Sequence, residues 1–125
     1  MRMARSNPTK LVREVCGRRD NARCVRCGRS LVGIPASLHH RRLRSHPFPG
    51  LHQPANLIWL CGSGVSYCHG WFHSHPAEAY RLGYMVHMGD NPADIPLLRY
   101  DGKWVLLDND GGMEIESASN TKTYR

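Results

Sequence analysis

Aromatic residues and carboxylates are both scarce in this chain of 125 residues. Aromatic side chains make up 8% of it, and 10 Asp and Glu residues stand against 17 Lys and Arg, for a formal net charge of +7. The length is enough for one modest hydrophobic core and excludes two. A domain of this size with few aromatic residues often needs an additional source of stability, which a bound metal ion can supply.

We expect neither a membrane span nor a secretory leader. No apolar run approaches the length of a transmembrane helix, and no internal repeat or low-complexity segment occurs. The five cysteines are an odd number, which favours metal-bound thiolates over a disulfide framework. We therefore expect one α+β domain over residues 1–125, in the reducing cytoplasm and without a membrane partner. Residues 1–7 and 117–125 are expected to be flexible tails.

The charge is distributed unevenly along the chain. Residues 1–60 hold twelve Lys and Arg against two Asp and Glu, whereas residues 61–125 hold five against eight. A basic half of this size is typical of proteins that bind a polyanion. The alternative is a solvated basic surface, and charge alone does not separate the two.

Two cysteine pairs are separated by a long insert. Cys24 and Cys27 form a C-x2-C-G knuckle, and Cys61 and Cys68 follow with six residues between them. Such pairs predict a tetrahedral zinc site, although six exceeds the usual spacing of about two to four residues. Cys16 falls on an apolar helical stripe, so it is interpreted as a small buried hydrophobe, with zinc ligation as the alternative.

Most of the eight histidines lie between Ser37 and His75. His39 and His40 are adjacent, and on a strand their side chains point to opposite faces, so they serve different roles. One can hold a metal ion while the other stays unliganded. His69 and His73 are four residues apart, which places them on one face of a helix within reach of a single ion.

The remaining pattern predicts four elements around these histidines. Asn7-Pro8 is expected to cap an N-terminal helix, and the apolar run 57–60 is expected to be a strand that follows a first strand at the paired histidines. Helical pattern continues from His69 through Pro76 to residue 82, with Gly83 as its stop. A strand is expected over 84–88, and a hairpin is expected around Asp101-Gly102 from segments 97–100 and 103–108. In the proline-rich loop 43–54, His46 and His52 are expected to face solvent or to pack within the loop rather than to be catalytic.

The strings C-x2-C, H-H-R-R, N-L-I-W-L-C and C-H-G-W-x-H together resemble the HNH (ββα-metal, or His-Me finger) endonuclease family, in the zinc-knuckle form common among bacteriophages. The resemblance covers about residues 23–86. It implies a small zinc-stapled ββα-metal domain with an N-terminal helix and a C-terminal β-hairpin. It also implies hydrolysis of DNA phosphodiester bonds, with double-stranded DNA as the partner, in the host cytoplasm. A role beside phage terminase is implied by the resemblance alone.

The resemblance also implies roles for individual side chains. His40 would be the general base, a task for which neutral imidazole is suited near pH 7. Asn56, the middle asparagine of the family signature, would orient the loop or the imidazole. Arg41 or Arg42 would grip a non-bridging phosphate oxygen, because guanidinium matches phosphate geometry. The implied metal ligands are His39, His69 and His73 for a catalytic divalent cation, and Cys24, Cys27, Cys61 and Cys68 for a structural zinc ion.

Each of these roles has a plainer alternative. His69 could complete the zinc shell in place of Cys68, and His73 could be an exposed helical residue. Asn56 could be a turn cap, and both arginines could be exposed cations. For the whole chain, the alternative is a non-catalytic zinc-ribbon module that binds nucleic acid, which needs the cysteines and the basic surface but no general base.

A site of three imidazoles predicts a preference among metals. Imidazole suits Zn²⁺, Ni²⁺, Co²⁺ or Mn²⁺ better than the oxygen-seeking Mg²⁺. We expect metal-stripped protein to regain DNA cleavage more fully with Ni²⁺, Co²⁺ or Mn²⁺ than with Mg²⁺, measured by plasmid nicking at equal metal concentration. Recovery with Mg²⁺ alone would contradict the three-histidine assignment.

Overall fold

A computed structural model describes residues 7–116, which form a small α+β fold. The α+β class predicted from the sequence is confirmed. None of the helices in this range has the length and apolar character needed to cross a bilayer. Apart from Asn7, the expected tails lie outside the described residues. The helices are α1 (Lys10–Arg19), α2 (Tyr67–Ser74) and α3 (Pro76–Arg81), and the strands are β1 (Ala36–His40), β2 (Leu57–Cys61), β3 (Leu97–Leu98), β4 (Trp104–Leu107) and β5 (Met113–Ile115).

β1 and β2 form an antiparallel pair that carries the paired histidines. In its register, His39 lies opposite Ile58 and His40 lies opposite Leu57. The predicted strand over 57–60 is confirmed, and Leu57, Ile58 and Leu60 are completely buried in it. Both α1 and α2 contact β2. The paired histidines therefore lie on β1, the strand that pairs with the buried strand β2.

α1 is joined to β2 by a buried ion pair at its C-terminal end. Arg19 Nε lies 2.8 Å from Asp20 Oδ1, and Arg19 Nη1 donates to the Pro54 carbonyl oxygen at 2.8 Å. The N–H of Trp59 donates to Asp20 Oδ2 at 3.1 Å. The pair is almost fully hydrogen-bonded, which is what makes a buried charge tolerable.

The predicted cap of α1 at Asn7 is wrong. Thr9 caps the helix instead, since its hydroxyl accepts from the N–H of Val12 at 3.2 Å. Thr9 has the extended dihedral angles that an N-cap residue requires, and Asn7 lies two residues too early for this geometry. The apolar stripe is only partly buried, because Leu11 is 66% exposed while Cys16 is completely buried.

The predicted single helix from His69 through Pro76 is also wrong, because the chain forms two helices that break at His75. Proline lacks an N–H, and its ring disfavours helical dihedral angles at the preceding residue. His75 accordingly has φ −136° and ψ 51°. The predicted stop at Gly83 is confirmed, with φ +86°, and a Cβ there would lie 2.1 Å from the Pro96 carbonyl oxygen.

The strand predicted over 84–88 does not form. The N–H groups of Tyr84 and Met85 both donate to the Ala79 carbonyl oxygen at the end of α3, at 2.9 and 3.1 Å. The N–H of Val86 donates to the Arg41 carbonyl oxygen at 2.9 Å. Because these N–H groups already have acceptors, they are not available to pair with a neighbouring strand.

The C-terminal hairpin around Asp101-Gly102 is confirmed. β3 and β4 pair with Leu97 opposite Val105, and Gly102 has φ +83°, the left-handed turn conformation that glycine favours. A third strand, β5, extends the sheet on the other side of β4. Its residues are all exposed, so it lacks the apolar pattern from which a strand is predicted.

Arg41 lies in the interior rather than at a phosphate-binding surface, which corrects its predicted role. Its side chain is completely buried, and its guanidinium donates to four backbone carbonyl groups. The acceptors are Gly83 at 2.9 Å, Ala55 at 2.9 Å, Pro92 at 3.0 Å and Ile95 at 2.6 Å. The Arg41 side chain therefore joins the end of β1 to three other backbone segments, at Ala55, at Gly83 and at residues 92–95.

Replacing Arg41 with Met is expected to destabilise the fold by about 3 kcal/mol or more, because each buried carbonyl that loses its donor costs about 1–3 kcal/mol. The matched control is Arg18→Met on the exposed side of α1, for which we expect a change below about 0.5 kcal/mol. Urea unfolding followed by circular dichroism measures both. A loss under about 1 kcal/mol for Arg41→Met would show that the carbonyl groups find other donors.

Candidate active site and metal centres

Four thiols converge at one end of the β1–β2 pair. The Sγ atoms of Cys24, Cys27, Cys61 and Cys68 all lie within 4.8 Å of one another, with Cys27 and Cys61 3.8 Å apart. A tetrahedral zinc ion with Zn–S distances of about 2.3 Å has sulfurs about 3.8 Å apart. The cluster therefore fits a structural zinc ion, and the predicted convergence of these four cysteines is confirmed.

The first pair is shaped by a glycine turn. The N–H of Cys24 donates to the Arg29 carbonyl oxygen at 2.9 Å, and the N–H of Gly28 donates back to the Cys24 carbonyl oxygen at 2.8 Å. Gly28 has φ +80°, and a Cβ there would lie 2.8 Å from the Tyr100 ring. The knuckle thus requires glycine for both its backbone angle and its close packing.

The second pair closes although six residues separate its members. Cys61 ends β2 and Cys68 lies in the first turn of α2, so the intervening loop must fold back on itself. Gly62 starts this loop with φ +87°, and the N–H of Ser63 donates to Ser66 Oγ at 3.0 Å. The long spacing is accommodated by a compact turn.

The thiols of the cysteine cluster differ in acidity: burial raises the pKa of Cys61, and the hydrogen bond with Cys24 raises the pKa of Cys68. The hydrogen bond from the Cys68 thiol lowers the pKa of Cys24 well below its usual value, and neighbouring backbone N–H groups add to this effect. Arg26 Nη1 lies 3.3 Å from Cys68 Sγ, and its guanidinium stacks 3.8 Å from the centre of the Trp71 ring. A cation is thus held beside the sulfur of Cys68, where it would offset negative charge on the cluster.

Cys16 lies outside the cluster. It is completely buried in α1, and burial raises the pKa of its thiol to about 11. The interpretation of Cys16 as a small buried hydrophobe is therefore confirmed, because a buried neutral thiol is inert.

All four predicted catalytic histidines line one cleft of about 570 Å³ between the end of β1 and the helices α2 and α3. They are His39, His40, His69 and His73. The cleft also exposes a cation, Arg44, and aromatic and apolar side chains. His40 and His69 are 29 residues apart in the sequence, and the fold brings them to a common surface.

His39 and His69 form the closest pair in the cleft. His39 Nδ1 lies 3.2 Å from His69 Nε2, and His39 Nε2 lies 2.9 Å from the Tyr84 carbonyl oxygen. Because a carbonyl group can only accept, His39 Nε2 carries the proton and Nδ1 offers its lone pair. Two imidazole nitrogens about 2.0–2.1 Å from one tetrahedral cation are about 3.3 Å apart. The pair therefore fits two ligands of one divalent cation, with the carbonyl group fixing the tautomer of the first.

His73 does not complete this pair as predicted. In residues 7–116, the cysteine cluster is the one group of three or more ligand side chains whose donor atoms lie within 4.8 Å of one another. His73 is exposed in the last turn of α2, just before the break at His75. It faces the same cleft as His69, and burial and the charge of His73 lower the pKa of His69. The structure thus assembles two of the three predicted imidazole ligands.

His40 is held apart from this pair. Its Nε2 lies 2.9 Å from His52 Nδ1, and this is the one hydrogen bond of the ring within residues 7–116. Burial lowers the pKa of His40 to about 4, and the charges of Arg44 and His52 contribute. The ring is therefore neutral near pH 7 and available as a proton acceptor.

The contact of His52 with His40 was not predicted from the sequence, which left solvent exposure and packing within the loop as alternatives. His52 is half-buried against His40, with the two rings in an edge-to-face arrangement. The loop that carries it has no periodicity from which a side-chain direction can be predicted.

Asn56 orients the loop after β1, which is one of the roles predicted for it. The residue is buried, its Oδ1 accepts from the N–H of Arg42 at 2.7 Å, and its Nδ2 donates to the carbonyl oxygens of Leu51 at 2.9 Å and Arg42 at 3.4 Å. One side chain therefore binds both ends of the loop. It makes no hydrogen bond to the ring of His40.

The cation at the cleft is Arg44 rather than either predicted arginine. Arg42 stacks its guanidinium 3.7 Å from the centre of the Phe48 ring and donates to the Asp90 carbonyl oxygen at 3.2 Å, outside the cleft lining. Arg44 lines the cleft beside His40. The chain leaves β1 at His40 and turns, so a residue four positions later faces the histidines.

Comparisons with protein-family models, curated proteins and solved structures give no match for this chain. Its function must therefore be inferred from its residues and their geometry.

The cysteine cluster predicts one tightly bound zinc ion per chain. Cys27→Ser removes one thiolate and is expected to abolish stoichiometric zinc and to lower the melting temperature, because metal binding and folding are coupled. Cys16→Ser is the matched control, with zinc retained. Elemental analysis and thermal unfolding measure both variants. Unchanged zinc content in Cys27→Ser, or a wild-type protein that neither contains zinc nor responds to a chelator, would refute the site.

Proposed function

We propose that this chain is a metal-dependent endonuclease of the HNH (ββα-metal) type that hydrolyses phosphodiester bonds of double-stranded DNA. The observation that carries the proposal is the pair of His39 and His69, 3.2 Å apart, with the separately held His40 on the same cleft. This arrangement offers two metal ligands and one unliganded base.

The order of elements supports this proposal. β1 and β2 form an antiparallel pair and α2 follows, which is the order of the ββα-metal motif. His39 and His40 end β1, Asn56 directly precedes β2, and His69 lies in the first turn of α2. This order of elements and these positions support the resemblance on which the proposal rests.

The charge of the chain supports a polyanionic substrate. The basic half, residues 1–60, contains β1 and the loop that carries Arg44. Arg44 is the guanidinium that lines the cleft, so we assign to it the phosphate contact predicted for its neighbours. A rim cation of this kind steers DNA and holds a phosphate oxygen.

The chemistry follows from four residues of the cleft. A divalent cation bound by His39 and His69 would neutralise charge on the phosphate and on the leaving oxygen. His40 accepts a proton from the attacking water as the water oxygen bonds to phosphorus. The bond between phosphorus and the leaving sugar oxygen then breaks, that oxygen takes a proton from solvent water, and His40 returns its proton to solvent. Arg44 offsets the negative charge of the phosphate during this exchange.

His40→Ala is expected to lower the rate of plasmid nicking by about 10² or more, the typical contribution of a general base. Binding of DNA is expected to remain, because His40 supplies a proton acceptor rather than a phosphate contact. The matched control is His46→Ala, an exposed histidine of the same loop, which should nick at the wild-type rate. Full nicking by His40→Ala would contradict the proposal.

The competing function is a zinc-ribbon module that binds DNA without cleaving it. The cysteine cluster favours it, since that cluster forms without any contribution from the histidines. The same assay separates the two functions. A binding module would retain DNA affinity in both histidine variants, and its wild-type form would leave the plasmid supercoiled with every metal.

A further inference from the structure

We propose that His52 is a positioning residue that fixes the ring of His40 for proton transfer, an inference that rests on the proposed endonuclease function. The contact joins His40 Nε2 to His52 Nδ1 at 2.9 Å, and the rings are inclined at 69° with their centres 5.0 Å apart. This is an edge-on hydrogen bond, in which one nitrogen lone pair faces the N–H of the other ring.

The direction of the hydrogen bond follows from the role of His40. To accept a proton at Nδ1, His40 must carry its own proton at Nε2, which then donates to His52 Nδ1. His52 accordingly carries its proton at Nε2. The contact thus selects the tautomer of His40 in which the lone pair is at Nδ1.

His52 acts through His40 and not on the substrate. His40 lines the cleft, whereas His52 is absent from its lining. His52 therefore contacts the base from outside this cleft lining, where a partner can orient an imidazole without touching the reacting atoms.

The backbone beside His52 is held in place by the asparagine of the motif. Asn56 Nδ2 donates to the carbonyl oxygen of Leu51, the residue that precedes His52, at 2.9 Å. Asn56 Oδ1 accepts from the N–H of Arg42, two residues after His40, at 2.7 Å. Leu51 is buried, and its N–H donates to the Phe48 carbonyl oxygen at 3.0 Å. Asn56 therefore fixes both chain segments whose histidines meet, the one that carries His40 and the one that carries His52.

The test compares two replacements of His52 in the full chain, loaded with zinc and assayed with Mn²⁺. His52→Ala removes the acceptor and is expected to lower kcat about 10- to 100-fold, with KM changed by less than about threefold, as expected for loss of an orienting partner. His52→Asn places an amide oxygen near the site of Nδ1 and is expected to restore most of this rate. His46→Ala is the control in the same loop and should match the wild type.

The kinetic outcomes separate this proposal from the proposed function. If the wild type nicks DNA, His40→Ala does not, and His52→Ala keeps a kcat within about threefold of the wild type, the positioning role is overturned while the nuclease stands. Equal losses in the Ala and Asn variants would also overturn it, because a merely structural role would not distinguish them. Loss in the Ala variant with rescue by Asn supports it.

A second measurement needs neither a variant nor activity. Long-range ¹H–¹⁵N correlation spectra of the wild-type protein report the tautomer of each histidine. We expect His40 in a single Nε2–H tautomer, with His52 also protonated at Nε2. A His40 ring protonated at Nδ1, or averaging between tautomers, would overturn the proposal even if His52→Ala failed to fold.

Discussion

The meeting of Cys61 and Cys68 is the constraint on which the rest of the site depends. Cys61 ends β2 and Cys68 lies in the first turn of α2, so the cysteine cluster fixes the end of the strand relative to the start of the helix. His69 follows Cys68 directly, and its Nε2 is thereby set 3.2 Å from His39 Nδ1. A shift of α2 by one residue would rotate His69 by about 100° around the helix axis and remove it from His39.

Buried polar side chains fix the end of β1 and the loop that follows it. Arg41 donates to four carbonyl groups, and Asn56 binds both ends of the loop that follows. Burying such groups is costly unless they are fully hydrogen-bonded, and here the irregular backbone around β1 supplies the acceptors. The adjacent His39 and His40 can therefore hold different partners, Tyr84 and His69 on one side and His52 on the other.

Residue patterns predicted the elements of this fold better than the directions of its side chains. The apolar run 57–60, the Asp101-Gly102 turn and the cysteine pairs each have a local physical cause, and each forms as predicted. The roles of Arg41, Arg44 and His52 depend on which way an irregular loop turns, for which the sequence carries no periodic signal. The break at His75 is a different case, because the restriction imposed by Pro76 was visible in the sequence and outweighs the helical pattern around it.

One measurement tests the central claim most directly: anomalous X-ray scattering from crystals of the full chain, with its zinc site filled, soaked in Ni²⁺. We predict a nickel peak bonded to His39 Nδ1 and His69 Nε2, separate from the zinc at the cysteines, with His40 unliganded and still in contact with His52. A cleft without a peak, or a nickel ion bonded to His40, would contradict the assignment of two metal ligands beside a free base.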